Sequence, residues 1–68
     1  AAIRDSSEAR AVLAAGFARA REYVLAVEEQ RRALALSRTE GRPAQVIADY
    51  RADLSRLEAL AEPARLAR

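Results

Sequence analysis

Two carboxylates, Asp49 and Asp53, stand four residues apart, a spacing that places both side chains on one face of a helix. Such a pair can hold part of a divalent-cation site or form salt bridges with an arginine. A metal site needs more ligands, and the chain has no His and no Cys. We therefore expect no metal and no cofactor. We predict that these aspartates instead form an ion pair with Arg31, which fixes the register between two helices.

The chain lacks the residues from which enzymes usually assemble a catalytic group. All 12 basic residues are Arg, so neither a histidine nor a lysine is present as a general base. The serines have no base at a useful spacing, and no glycine-rich phosphate loop is present. We predict that this chain is not an enzyme and has no catalytic residues.

The composition indicates an all-α protein that depends on a partner. Ala, Leu, Arg and Glu dominate the 68 residues, and all four are good helix formers. A chain this short buries a modest core and usually needs disulfides, a metal or association for stability. Without Cys or His, the remaining sources of stability are very good helix packing or oligomerisation, and we expect a partner.

The helix start and stop signals predict an antiparallel helical hairpin within residues 6–62. Residues 1–5 form a frayed lead-in, and helix 1 runs from about 6 to 40, with no Gly or Pro strong enough to stop it earlier. Gly41 is suited to closing this helix and Pro43 to starting the next, so the turn is 41–42. Helix 2 runs over about 43–62, and residues 63–68 form a C-terminal tail after Pro63.

Apolar residues at steps of three and four define the face that each helix turns to the other. Arg31 lies on this stripe and is expected near Asp49 and Asp53 of helix 2. The predicted hairpin core consists of Val24, Val27, Leu34, Ile47, Tyr50, Leu54 and Leu57.

The two helices differ in length, and the difference predicts an interface between chains. At 1.5 Å per residue, helix 1 spans roughly 50 Å and helix 2 roughly 30 Å, so helix 2 leaves the first turns of helix 1 uncovered. We expect a second chain to cover them, most simply in an antiparallel four-helix bundle of two chains with coiled-coil packing. The predicted interface consists of Val12, Leu13, Gly16, Phe17 and Ala20.

These features favour a non-enzymatic interaction and oligomerisation module, either a homo-oligomer or a subunit of a larger assembly. The second half of the chain, with Gly41 in a turn, Tyr50 nine residues later and the pair Leu57-Glu58, resembles the small type III secretion needle co-chaperones. That resemblance implies an alternative function, a co-chaperone or adaptor that holds the amphipathic helix of another protein.

The charge pattern leaves a second alternative open, a weak nucleic-acid binder. The net charge is only +2, but Arg31, Arg32, Arg38 and Arg42 gather near the turn.

We see neither a signal peptide nor an apolar run of the ~20 residues that a membrane span needs, so we expect a cytoplasmic chain. Its first residue is Ala, which indicates a processed product or a fragment.

Overall fold

The computed structural model describes residues 5–66, without the side chains of 64 and 65, and over this range the chain is all-helical. The three helices are α1 (Ser7–Arg19), α2 (Tyr23–Thr39) and α3 (Ala44–Leu66). The all-α prediction is confirmed, whereas the two-helix hairpin is not what the chain forms. Of the five residues expected to form a frayed lead-in, residues 1–4 lie outside the described residues. The fifth, Asp5, precedes α1.

The prediction of one helix over about 6–40 is wrong, because the chain reverses direction at residues 20–22. Arg21 adopts a left-handed conformation with φ of 61°. Its N–H donates to the carbonyl of Ala18 at 3.0 Å, and the N–H of Glu22 donates to that of Phe17 at 2.8 Å. These two bonds form a Schellman motif, which normally places glycine at the left-handed position.

The same motif closes α2 at the position that the sequence indicates. Gly41 has φ of 70°, and its N–H donates to the carbonyl of Arg38 at 3.2 Å. The N–H of Arg42 donates to Ser37 at 2.9 Å, which completes the motif. Pro43 directly precedes α3, and its carbonyl accepts the N–H of Val46 at 3.0 Å. The chain thus uses one turn geometry twice, once with glycine and once with arginine.

The third helix does not stop at Pro63 but continues to Leu66. The prediction of a separate tail is therefore wrong for residues 63–66. Residues 67–68 lie outside the described residues. Proline lacks the N–H that would bond four residues back, and this costs about 3 kcal/mol in a helix interior. Pro63 lies in the last turn of α3, so it removes the one hydrogen bond that the Ala59 carbonyl would otherwise accept, and the helix continues for only three described residues beyond it. Its fixed φ is compatible with the helix that continues to Leu66.

Helix α2 is the centre of the fold, because α1 and α3 each pack against it and barely touch one another. The chain is correspondingly flat, with extents of 39 × 29 × 17 Å. A core cluster forms where α2 meets α3, and Phe17 of α1 packs against its edge. The cluster consists of Ala26, Val27, Leu57 and Ala61.

Small side chains fill the seam between α1 and α2. Ser7 and Ala14 are the buried residues of α1, and Ala33 and Ser37 of α2 are fully buried as well. Small residues allow two helix backbones to approach closely, as in other helix pairs packed through Ala and Gly. The inner face of α1 is therefore covered by the chain's own α2, not by another chain.

Candidate interaction surface

Two polar contacts fix α1 against α2 and so decide which face of α1 remains outside. The first is at its N-terminus, where Ser7 is fully buried. The Ser7 N–H donates to Glu40 Oε2 at 2.9 Å, and the Ser7 hydroxyl donates to Oε1 at 2.6 Å. Arg42 Nε donates to the same carboxylate at 2.8 Å. A carboxylate at this position also suits the positive end of the helix dipole.

The hydroxyl and N–H of Ser7, with help from the Arg42 guanidinium, hold the pKa of Glu40 at about 2, below its ordinary value of 4.5. Hydrogen bonds to the charged form and a nearby cation both favour ionisation. The same carboxylate raises the pKa of Arg42. The contact between the start of α1 and the end of α2 is therefore built on an ionised Glu40.

The second contact is a chain of charges along the seam. Arg10 donates to Asp5 at 2.7 Å and to Glu29 at 2.6 Å. The Glu29 carboxylate has only 6% of its side-chain surface exposed and also receives Arg32 at 3.0 Å. The Arg10 hydrogen bond lowers the pKa of Asp5, and the two carboxylates raise the pKa of Arg10. Removing one partner of such a group leaves the others poorly solvated, so the arrangement fixes the position of α1 along α2.

Stability should fall in acid through Glu40. Because its pKa is lower in the folded chain than in the unfolded chain, its contribution is complete above about pH 4.5 and is lost as the pH falls towards 2. Glu40→Gln should therefore lower the melting temperature at neutral pH, and the two melting temperatures should converge near the acid end. Thermal melts followed by circular dichroism across this range measure the difference. A difference that stays constant with pH would contradict this assignment.

With the inner face of α1 held in this way, an apolar strip remains on the opposite side. We call it the α1 outer face. Val12 is 68% exposed and Leu13 43% exposed, and the other members are exposed as well. Their spacing of three and four residues makes one continuous stripe along the helix. The α1 outer face consists of Ala9, Val12, Leu13, Gly16 and Ala20.

The structure separates the five residues predicted to form an interface. Val12, Leu13, Gly16 and Ala20 lie on the α1 outer face. Phe17 does not, because it is partly buried and packs against the core cluster of its own chain. The length argument that assigned Phe17 to a second chain is wrong, since the turn at residues 20–22 folds α1 back over α2.

The residues predicted for the hairpin core lie on the facing sides of α2 and α3. Val27, Leu34 and Leu57 are buried, and the others are partly buried, namely Val24, Ile47, Tyr50 and Leu54. Gln30 adds a polar contact at this interface, where its amide nitrogen donates to the Tyr50 carbonyl at 3.1 Å.

The predicted ion pair of Arg31 with Asp49 and Asp53 is wrong, because Arg31 binds Glu58 at 2.9 Å. Asp49 accepts from Gln45 at 2.9 Å, and Asp53 lies 3.4 Å from Arg56 on the same helix. The two aspartates therefore point along their own helix surface. In residues 5–66 no third metal-ligating side chain joins them.

Sequence reasoning missed the four residues that hold α1 in place, Ser7, Arg10, Glu29 and Glu40. Ser7 and Glu40 stand 33 residues apart, and nothing local connects them. Glu29 gave one usable signal, because it lies beside the apolar stripe of α2 and an acid there needs a cation. Which cation it binds depends on the turn at residues 20–22.

Two grooves between the described parts of the helices are small. One of them lies between α2 and α3, holds about 180 Å³ and is lined by Val24, Val27, Glu28, Arg31 and Ala61. Pockets that bind small ligands usually hold ~300–1,000 Å³. None of the helices in the described residues is long and apolar enough to cross a membrane. The α1 outer face is therefore the strongest candidate for a functional surface.

We compared the chain with known proteins at three levels. No protein-family model, no curated protein and no solved structure matches it.

Proposed function

We propose that this chain is a non-enzymatic helical module that associates with other chains through the α1 outer face, in the first place with copies of itself. The observation that supports the proposal is the exposure of Val12 and Leu13 on a helix that already has its other face covered. An isolated exposed leucine is ordinary, whereas a continuous apolar stripe on one helix is typical of an interaction surface.

The packing of the partly buried Phe17 against its own chain changes the expected interface without removing it. The association surface is narrower than the sequence predicts, because it excludes Phe17 and contains one aliphatic pair, Val12 and Leu13. We infer a modest affinity and an oligomer whose subunits fold by themselves. An adaptor that holds another protein's amphipathic helix would use the same surface.

The arginines near the turn give less support to nucleic-acid binding. Arg31 binds Glu58, Arg32 binds Glu29 and Arg42 binds Glu40, so carboxylates neutralise three of the four cations. Binding to phosphates would have to compete with these salt bridges. We therefore rank association through α1 above this alternative.

The experiment is sedimentation of the wild type and of Leu13→Asp over a concentration series. A charge placed in the interface should weaken association on the order of 100-fold, equivalent to about 2.7 kcal/mol. Leu60→Asp is the matched control, because Leu60 of α3 is 46% exposed, close to the 43% of Leu13, but lies outside the α1 outer face. This control should associate like the wild type.

A wild type that remains monomeric up to about millimolar concentration would overturn self-association. If Leu13→Asp and Leu60→Asp weakened association equally, the α1 outer face would not be the surface responsible.

A further inference from the structure

Two charges flank the α1 outer face in a pattern that suits pairing with a second copy of the same helix. Glu8 lies in the first turn of α1 and Arg19 in the last. They are 11 residues apart, close to three full turns, so they lie in line along one edge of the stripe. Among the described side chains, neither residue forms a salt bridge.

Gly16 is a second, independent observation on the same face. A Cβ added at this position would meet nothing within 4 Å, so folding of the single chain does not require glycine here. Glycine inside a helix costs about 1 kcal/mol relative to alanine. Its position in the middle of an apolar stripe allows another helix backbone to approach closely.

We propose that the α1 outer face pairs with the same face of a second copy in an antiparallel arrangement, with the two-fold axis near Leu13. This inference rests on the proposed function and specifies its partner and geometry. In a two-fold antiparallel pair, each edge of one helix faces the same edge of the other. Glu8 then lies opposite Arg19 of the partner subunit, and Arg19 lies opposite Glu8 of the partner subunit.

The parallel alternative is electrostatically unfavourable. A parallel two-fold pair places each edge of one helix opposite the other edge of its partner, so neither of the two contacts between Glu8 and Arg19 could form. It would also align the two helix dipoles, whereas the antiparallel pair opposes them. The charge pattern of α1 therefore selects one orientation.

The size of α1 sets the strength of the dimer. Thirteen residues make a helix about 20 Å long, and pairing two such helices buries less than the ~1,200 Å² of a standard protein interface. The dimer is therefore weak and dissociates on dilution, so the proportion of dimer can be followed by sedimentation over a series of protein concentrations.

The test exchanges charges between the two ends of the stripe. Glu8→Arg and Arg19→Glu should each sediment as monomers at concentrations where the wild type forms dimers, because each variant places like charges opposite one another. An equimolar mixture of the two variants should form a heterodimer, since every facing pair is then of opposite sign. The double variant Glu8→Arg/Arg19→Glu should dimerise again.

Circular dichroism melts of each variant separate loss of folding from loss of association. A further variant, Gly16→Leu, covers the case in which a charge variant does not fold. The space around Gly16 is open in the single chain, so this variant should fold like the wild type and fail to dimerise.

The outcomes distinguish this geometry from the proposed function. If the wild type dimerises but the mixed variants do not associate more strongly than either one alone, the antiparallel pairing is overturned and self-association stands. A Gly16→Leu chain that dimerises like the wild type overturns the close approach at this face. A wild type that never dimerises overturns both the proposed function and this inference.

Discussion

Ala33→Leu should lower the free energy of unfolding by about 1–3 kcal/mol, because it inserts a large side chain where two helices meet. Ala33 is fully buried on α2, one turn beyond the Glu29 that binds Arg10, and so lies on the side of α2 that faces α1. A leucine there forces α1 outward, away from the bonds that Ser7 forms with Glu40 and Arg10 forms with Glu29. Chemical unfolding followed by circular dichroism measures the change.

The matched control for this variant is Ala35→Leu, two residues away on the same helix. Ala35 is exposed, and leucine and alanine are both good helix formers, so this chain should unfold close to the wild-type midpoint. If both variants have the wild-type midpoint, α1 does not pack on α2 through this seam. A long continuous helix over 6–40 would then be the better description.

Leu57→Ala should have the largest effect, a loss of about 2–5 kcal/mol. Leu57 is 4% exposed and packs in the core cluster with Ala26, Val27 and Ala61. Its truncation leaves a cavity beside Ala26, Val27 and Ala61, whose short side chains cannot reach across to fill it. A chain of this length is stabilised by about 3–10 kcal/mol in total, so the variant should lose a large share of its stability and unfold at a markedly lower denaturant concentration.

Leu60→Ala is the control for the core, because Leu60 is 46% exposed three residues further along α3. Both changes remove the same atoms from the same helix, so helix propensity cancels in the comparison. Equal losses at the two positions, measured as unfolding midpoints in denaturant, would contradict the placement of the core between α2 and α3.

The sequence predicts that Arg31 has a carboxylate partner, but it does not determine which one. The stripe shows that Arg31 faces another helix, and the structure does give it a carboxylate from α3. The identity of that carboxylate depends on the register of α2 against α3. This register is set by how Val27 and Leu57 pack. A two-helix hairpin aligned by helix length alone has a different register, which places Arg31 opposite Asp49 and Asp53.

The sequence by itself determined the helical class and the end of α2. Propensity makes a chain rich in Ala, Leu, Arg and Glu helical, and Gly41 supplies the left-handed residue that a helix end requires without steric cost. These are local effects, each decided within a few residues, so they can be recognised without a fold.

Only the tertiary structure decided the turn at residues 20–22, and with it the surface available to other chains. Arg21 pays roughly 1–2 kcal/mol for its left-handed conformation, a cost that no local signal offsets. Packing of α1 on α2 and the bonds from Ser7 to Glu40 supply the compensation, and they join residues far apart in sequence. The length mismatch that the sequence assigns to a partner is thus largely resolved within one chain, which packs the partly buried Phe17 against its own core and leaves Val12 and Leu13 outside.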